Sequence, residues 1–290
     1  AEDTTVGAHK LHVVSWLPAA EPRGVVLVCH GLHEHALRYY GIAHALTARG
    51  VAVYGCDHYA HGRSDGERGL ITDHTVLVAD YVKFAEWVRL RHPGLPVSLL
   101  GHSMGCLVST LSVNKIGNLK SVLFSANPIH PGPAAASPQG ITVLHPLTKT
   151  AFGRSLTAML AAADPKGPAC PIDIDGITAD PEEQSLLLSD PHRYPDAVRN
   201  LTAFNVLKMI EDSVAEYTNI KVPFLCMHGT ADTIAQSTGS RELYMNVRTP
   251  WRDRNITMYP GLRHELFHEG LEDRDRCIAA AVKYFESTLL

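Results

Sequence analysis

The stretch Val97-Ser98-Leu99-Leu100-Gly101-His102-Ser103-Met104-Gly105-Cys106 decides the fold. Its first four residues form the kind of short apolar run that fills a central strand buried on both faces. Gly101-His102-Ser103-Met104-Gly105 follows with no spacer, and Cys106 to Ile116 is helix-compatible. Strand, sharp turn and helix in that order are what a Gly-x-Ser-x-Gly elbow needs. The turn crowds the backbone at the serine, and the flanking glycines relieve the crowding. The serine then sits at the C-terminal edge of the sheet, where the first turn of the helix aims N–H groups and a positive dipole end at a reacting oxygen. Ser103 is the candidate nucleophile.

Working outward, the same type of run recurs at Val25–Cys29, Val51–Tyr54, Ser121–Phe124 and Val222–Cys226, with a weaker one at Asn255–Tyr259. Residues 9–17 read as a further strand ending at Pro18. Between them lie helical stripes. Leu77, Tyr81, Phe84 and Val88 mark one helix face, capped by Thr72 or Asp73 and ended by Pro93-Gly94. Ile278, Ala281, Val282, Phe285 and Leu289 mark another. Strands alternating with helices predict an α/β domain: a mostly parallel central sheet with helices on both faces.

Residues 128–185 break this rhythm, with clustered prolines (Pro131-Gly132-Pro133, Pro168-Ala169-Cys170-Pro171) and little strand pattern. Flanking strands on both sides make the stretch an insertion rather than a linker. The expected organisation is a core of residues 1–127 and 201–290 and a cap or lid of residues 128–200. Leu156, Met159, Leu160 and Ala163 form a small apolar stripe within it, suited to lining an apolar cavity, touching a membrane surface or packing on the core.

The chain has 290 residues, 45% of them apolar, and a net charge of −4 with no long basic run. A nucleic-acid partner is therefore not expected, because phosphate binding needs clustered Lys and Arg. Of the six cysteines, Cys29, Cys56 and Cys226 sit at the ends of strand-like runs and read as free and buried. No Cys-x-x-Cys pair suggests zinc, and no metal or organic cofactor is expected. No stretch approaches ~18 consecutive apolar residues, so none spans a membrane. No apolar leader precedes the first strand, and the expectation is a cytoplasmic, reducing compartment with possible peripheral membrane contact.

Serine needs a base within hydrogen-bond reach. After an elbow of this kind the order along the chain is Ser, then acid, then His. Asp232 follows the run at 222–226 in His228-Gly229-Thr230-Ala231-Asp232, and His264 follows 255–259 in Pro260-Gly261-Leu262-Arg263-His264. Each sits just past a strand end, on the edge that carries Ser103. His268 is the competitor for the base. His264 would take the Ser103 proton, and Asp232 would hold its tautomer and stabilise the imidazolium. Oxyanion donors are expected from the N–H of Met104 and, after strand 25–29, the N–H of Leu32.

The loops extend this reading. His30-Gly31-Leu32-His33-Glu34-His35 with Arg38-Tyr39, Asp57-His58-Tyr59-Ala60-His61-Gly62-Arg63-Ser64-Asp65-Gly66, the elbow, His228-Gly229-Thr230-Ala231-Asp232 and His264-Glu265 together resemble the loops of monoacylglycerol lipases and related lysophospholipases. The resemblance implies the α/β-hydrolase fold, Ser103, Asp232 and His264 as triad, and Glu34, Arg38 and His102 near the polar glycerol end of a small lipid ester. Asp57 and His61 read as loop-organising. Leu32 and His33 replace small residues of the family's oxyanion loop, Ala60 and Cys106 replace glycines, and Leu187 stands where the family often has a glycerol-contacting tyrosine. These departures leave the reaction type intact and the substrate open among monoacylglycerols, lysophospholipids, thioesters and simpler carboxylic esters. A non-catalytic binding module would be expected to have lost a triad member.

Overall fold

The computed structural model describes residues 2–6, 8–132 and 150–290. Among them are ten strands: β1 (Glu2–Val6), β2 (His9–Trp16), β3 (Gly24–Cys29), β4 (Val51–Cys56), β5 (Val97–His102), β6 (Leu119–Ser125), β7 (Pro168–Cys170), β8 (Val198–Arg199), β9 (Phe224–Gly229) and β10 (Arg254–Tyr259). Nine α-helices accompany them: α1 (Tyr40–Thr47), α2 (His74–Arg91), α3 (Met104–Ile116), α4 (Ala151–Ala163), α5 (Ile174–Ile177), α6 (Pro181–Ser189), α7 (Asn200–Glu216), α8 (Thr238–Asn246) and α9 (Leu271–Leu289). Eight strands form one sheet in the order β1-β2-β4-β3-β5-β6-β9-β10. All neighbours from β4 to β10 run parallel, whereas β2 is antiparallel to both β1 and β4.

Side-chain alternation along each strand builds two cores. Val25, Leu27 and Cys29 of β3 join the face covered by α2, α3 and α8, while Val26 and Val28 join the face covered by α1 and α9. Such a strand has no polar face, which is why its sequence is uniformly apolar. Helix α2 starts at Asp73, whose carboxylate accepts from the Thr75 N–H at 2.9 Å. Its Leu77, Tyr81, Phe84 and Val88 are all buried, as are Ala281, Val282, Phe285 and Leu289 of α9. Burying each large apolar side chain stabilises the fold by roughly 1.5–3 kcal/mol. All six cysteines are free and buried.

Strand β1 is the element the sequence did not announce. Glu2-Asp3-Thr4-Thr5-Val6 has no buried apolar run, because it is an edge strand paired only to β2, with Glu2 opposite Val13.

Between β6 and β9 lie α4, β7, α5, α6, β8 and α7. β7 and β8 pair antiparallel, and α4 packs on α7. Of the cap expected over 128–200, residues 133–149 lie outside the described residues. The apolar stripe on α4 is oriented differently from its spacing: Thr157 and Ala161 are buried, Leu156 and Leu160 are half-buried, and Met159 is 60% exposed. Among the described residues no helix is long and apolar enough to cross a membrane, and no group of three or more metal-ligating side chains occurs.

Candidate active site

The tightest turn in the site is the one between β5 and α3. Ser103 lies there at φ +50° and ψ −122°, a backbone conformation that a non-glycine residue rarely adopts. A conformation of this kind costs on the order of 1–3 kcal/mol and persists only where its surroundings enforce it. Here the Ser103 N–H donates to Ser125 O on β6 at 2.9 Å, and Ser103 O accepts from the Cys106 N–H at 2.8 Å. Gly105 is compulsory, since a Cβ there would overlap the Cys29 carbonyl at the end of β3. The helix can approach that strand only without a side chain. Cys106 fills the place next to it, its thiol donating towards Gly101 O and Ser125 O, both at 3.2 Å.

His264 and Asp232 arrive from two other strands. His264 Nε2 lies 2.9 Å from Ser103 Oγ, and His264 Nδ1 donates to Asp232 Oδ2 at 2.7 Å. The second Asp232 oxygen accepts from the backbone N–H groups of Ile234 at 2.9 Å and Ala235 at 2.8 Å. Burial raises the Asp232 pKa, but the charge on His264 and hydrogen bonds from His228 and His264 outweigh it and hold the carboxyl well below its usual range. Burial lowers the His264 pKa, and the Asp232 carboxylate reverses that, leaving it above the ordinary histidine value. His268 plays no part in this chain of bonds: its Nε2 donates to Arg38 O at 2.9 Å and its Nδ1 lies 3.2 Å from Glu265.

The loop carrying His264 is tied to the end of α5. Glu265 N–H donates to Ile177 O at 2.9 Å, and the Thr178 hydroxyl donates to His268 O at 2.6 Å. Buried Glu269 joins both sides, accepting from Arg263 N–H at 2.6 Å and Ala179 N–H at 2.9 Å.

After β3, Gly31 passes close to Ser103, where an added Cβ would stand 3.1 Å from Ser103 Cβ. Its N–H donates to Glu34, which also accepts from the Tyr39 hydroxyl at 2.9 Å. Among the described residues no protein acceptor is hydrogen-bonded to the Leu32 or Met104 N–H, and both residues line the cavity that contains Ser103. The Leu32 side chain packs on the cluster formed by Ala169 and Cys170 of β7, Val198 of β8 and Ala203 of α7. The bulk at this position therefore joins the β7–β8 sheet to the loop.

The cavity around Ser103 is lined by polar groups, Glu34, His102 and Glu265, and by apolar ones, Pro128, Ile172, Ile177, Val206, Ile210 and Ile234. Its empty space, including the open mouth, is about 900 Å³. Arg38 does not reach the wall. It lies behind it, donating to Glu265 at 2.5 Å and standing 3.5 Å from Glu34. Burial, and then the Glu265 charge, push the Glu34 carboxyl up, whereas Arg38 overcomes burial and holds Glu265 down. Burial and the neighbouring His264 push His102 down to about 3, so its ring, 5.0 Å from that of His264, is neutral at pH 7. Leu187 is buried and is not on the cavity wall.

Residues 20–270 match the family described as serine aminopeptidase, S33. The chain belongs to this family. It is a serine ester hydrolase of the α/β-hydrolase fold. It is similar to a monoacylglycerol lipase of Mycolicibacterium smegmatis, with 31% identity over 266 residues, 91% of this chain and 89% of that one. It is 28% identical over 254 residues to a monoglyceride lipase of Mus musculus, 88% of this chain and 79% of that one. A solved monoacylglycerol lipase of Paleococcus ferrophilus shares the fold, with a TM-score of 0.77 and 24% identity, covering 96% of this chain and 99% of that one.

Within this serine hydrolase the departures have structural reasons. Ala60 adopts φ +64° and His33 φ +65°, both in the left-handed region that favours glycine. His33 is buried with its ring edge against Tyr194, centroids 4.7 Å apart. Asp57 accepts from the N–H groups of Ala36 and Arg63, both at 2.9 Å, joining two loops. Three buried groups escaped sequence reasoning: Glu265 on the cavity wall, Glu269 behind the histidine loop, and His228 beside Asp232. Their signals were present as His264-Glu265 and as a histidine four residues before the acid. Neither spacing states which atoms meet.

Proposed function

We infer that this hydrolase cleaves monoacylglycerols to a fatty acid and glycerol through an acyl-enzyme on Ser103. The observation that carries this reading is the hydrogen-bonded chain Ser103–His264–Asp232 in a cavity lined mainly by apolar side chains with a few polar ones. The acyl chain lies along Ile172, Val206, Ile210 and Ile234, and the glycerol faces Glu34, His102 and Glu265. Ser103 Oγ attacks the ester carbonyl as its proton passes to His264 Nε2. The oxyanion is received by the N–H groups of Leu32 and Met104, and Asp232 stabilises the imidazolium. His264 then protonates the leaving glycerol oxygen. A water, deprotonated by the same nitrogen, releases the fatty acid and restores Ser103.

Two neighbouring readings fit the polar lining less well. A lysophospholipid would bring its phosphate against two carboxylates. An aminopeptidase substrate would need a free carboxylate for its ammonium, whereas Glu34 is engaged by Gly31 and Tyr39, and Glu265 by Arg38. Arg38 then acts by holding these two groups rather than by touching glycerol. We read residues 128–200 as the cap over the cavity, and exposed Met159, Leu186 and Leu188 as its contact with a lipid surface. The test is a panel of monoacylglycerols, lysophospholipids, acyl thioesters, short esters and aminoacyl arylamides. Preferred turnover of monoacylglycerols is the expected result. Comparable or greater kcat/KM on lysophospholipids or arylamides would overturn the substrate assignment.

A further inference from the structure

His228 is the last side chain of β9 before Gly229, and the turn that follows brings Asp232 back against it. Both side chains are fully buried. His228 Nε2 lies 3.0 Å from Asp232 Oδ2 and 3.0 Å from Ala235 O. Both of these atoms are acceptors, so Nε2 carries the hydrogen and donates to them. The other ring nitrogen, Nδ1, lies 2.8 Å from Ser240 Oγ on α8, which is likewise buried. In the neutral ring that hydroxyl donates to Nδ1, so Ser240 matches the tautomer that aims Nε2–H at the carboxylate.

We propose that His228 is a positioning residue for Asp232, one that holds the carboxylate in register with His264 and shares its negative charge. The proposal rests on Asp232 being the acid of the triad. Its physical content lies in the donor count. Asp232 Oδ1 takes two backbone N–H groups, and Oδ2 takes two imidazole N–H groups, one from His264 and one from His228. Without His228, one position on Oδ2 is left open in a fully buried site, and the carboxylate is free to tilt about the pair of backbone bonds. A misplacement of order 1 Å in a catalytic group costs as much as about 10²-fold in rate. The shared N–H also withdraws charge. With it gone, Asp232 draws more strongly on the His264 imidazolium, and the pH at which His264 titrates rises. The other groups facing His264, namely His102, Glu265 and Glu34, are unchanged by the substitution.

The test compares His228→Asn with His228→Gln in the full chain, with kcat expressed per active site titrated by a fluorophosphonate. The asparagine amide reaches the place of Nδ1 and keeps the Ser240 bond but cannot reach Asp232. The glutamine amide reaches the place of Nε2 and restores the donor. H228N is expected to lower kcat roughly 10–100-fold with KM within about twofold, and to move the acid limb of kcat/KM upward. H228Q is expected to recover most of the loss. In an Asp232→Asn background H228N should cost little more, because the group it acts through is already gone. Wild-type kcat in H228N overturns the proposal, as does a defect confined to yield or melting temperature. Equal defects in H228N and H228Q overturn it too. Near-wild-type activity of Asp232→Asn alone would instead sink the assignment of the acid.

Discussion

Asp232→Asn tests the catalytic reading most sharply, because the structure dictates how the amide must fail. The carboxylate accepts four hydrogen bonds, two on each oxygen. An amide keeps only one acceptor atom. If its NH2 replaces Oδ1, it confronts the backbone N–H groups of Ile234 and Ala235, which cannot change their protonation, and each buried unsatisfied donor costs about 1–3 kcal/mol. If its NH2 replaces Oδ2, His264 escapes the clash by moving its proton from Nδ1 to Nε2, and the His228 Nε2–H keeps Ala235 O as its acceptor. The second arrangement is therefore the favoured one, and it places an N–H at Ser103 Oγ, 2.9 Å away, where a lone pair is required. kcat should fall on the order of 10⁴-fold, as expected for a wrong histidine tautomer, equivalent to roughly 5.5 kcal/mol at 1.36 kcal/mol per decade. KM should change little. The residual acid limb should move down, because burial, the largest influence on His264, is no longer opposed by the Asp232 charge and hydrogen bond, and the smaller effects of Glu265 and Glu34 remain. The assay is steady-state hydrolysis of a monoacylglycerol and of a chromogenic ester, with melting temperature as the control for folding. A folded variant losing less than about tenfold would refute the role given to Asp232.

Ser103→Ala should abolish turnover and fluorophosphonate labelling with an unchanged circular dichroism spectrum, and residual activity near wild type would remove the nucleophile. In the wild type, kcat/KM should rise with pH through the titration of His264, with a midpoint above the unperturbed histidine value of about 6.5, since His264 is the active base only when neutral and Asp232 holds its pKa up; a midpoint well below that value would contradict the assignment. Ile210→Trp, on the apolar wall, should lower kcat/KM for long-chain esters roughly tenfold while leaving acetate esters within about threefold, and equal losses on both would show that the wall does not carry the acyl chain. Met159→Glu on α4 should reduce cosedimentation with phosphatidylcholine vesicles while preserving hydrolysis of a dispersed short ester, and unchanged cosedimentation would remove the lipid-contact reading.

Much of this was legible in one dimension. Apolar runs such as Val25–Cys29 announce strands because burial on both faces leaves no polar position, and the strand–turn–helix setting of Ser103 is written in ten consecutive residues. The order Ser103, Asp232, His264 is likewise a property of the chain. Periodicity reports burial, however, and not partners. It missed β1, an edge strand without an apolar run, and left open which side of α4 is buried, where Thr157 and Ala161 turn inward. The meeting of Ser103 with a histidine 161 residues away was decided by the order of strands in the sheet, which brings the ends of β5, β9 and β10 to one edge. So were the finer assignments. Glu34 and Arg38 are four residues apart, yet only Glu34 faces the cavity, because Glu265 from a distant loop draws Arg38 behind the wall. His228 lies four residues before Asp232 at a spacing many turns share. Only the folded turn, with Ala235 O and Ser240 on either side of the ring, makes it a donor to the carboxylate. Residue type and order determined which chemistry the chain carries; hydrogen-bond geometry, which depends on every element packed around the site, decided which atom serves which.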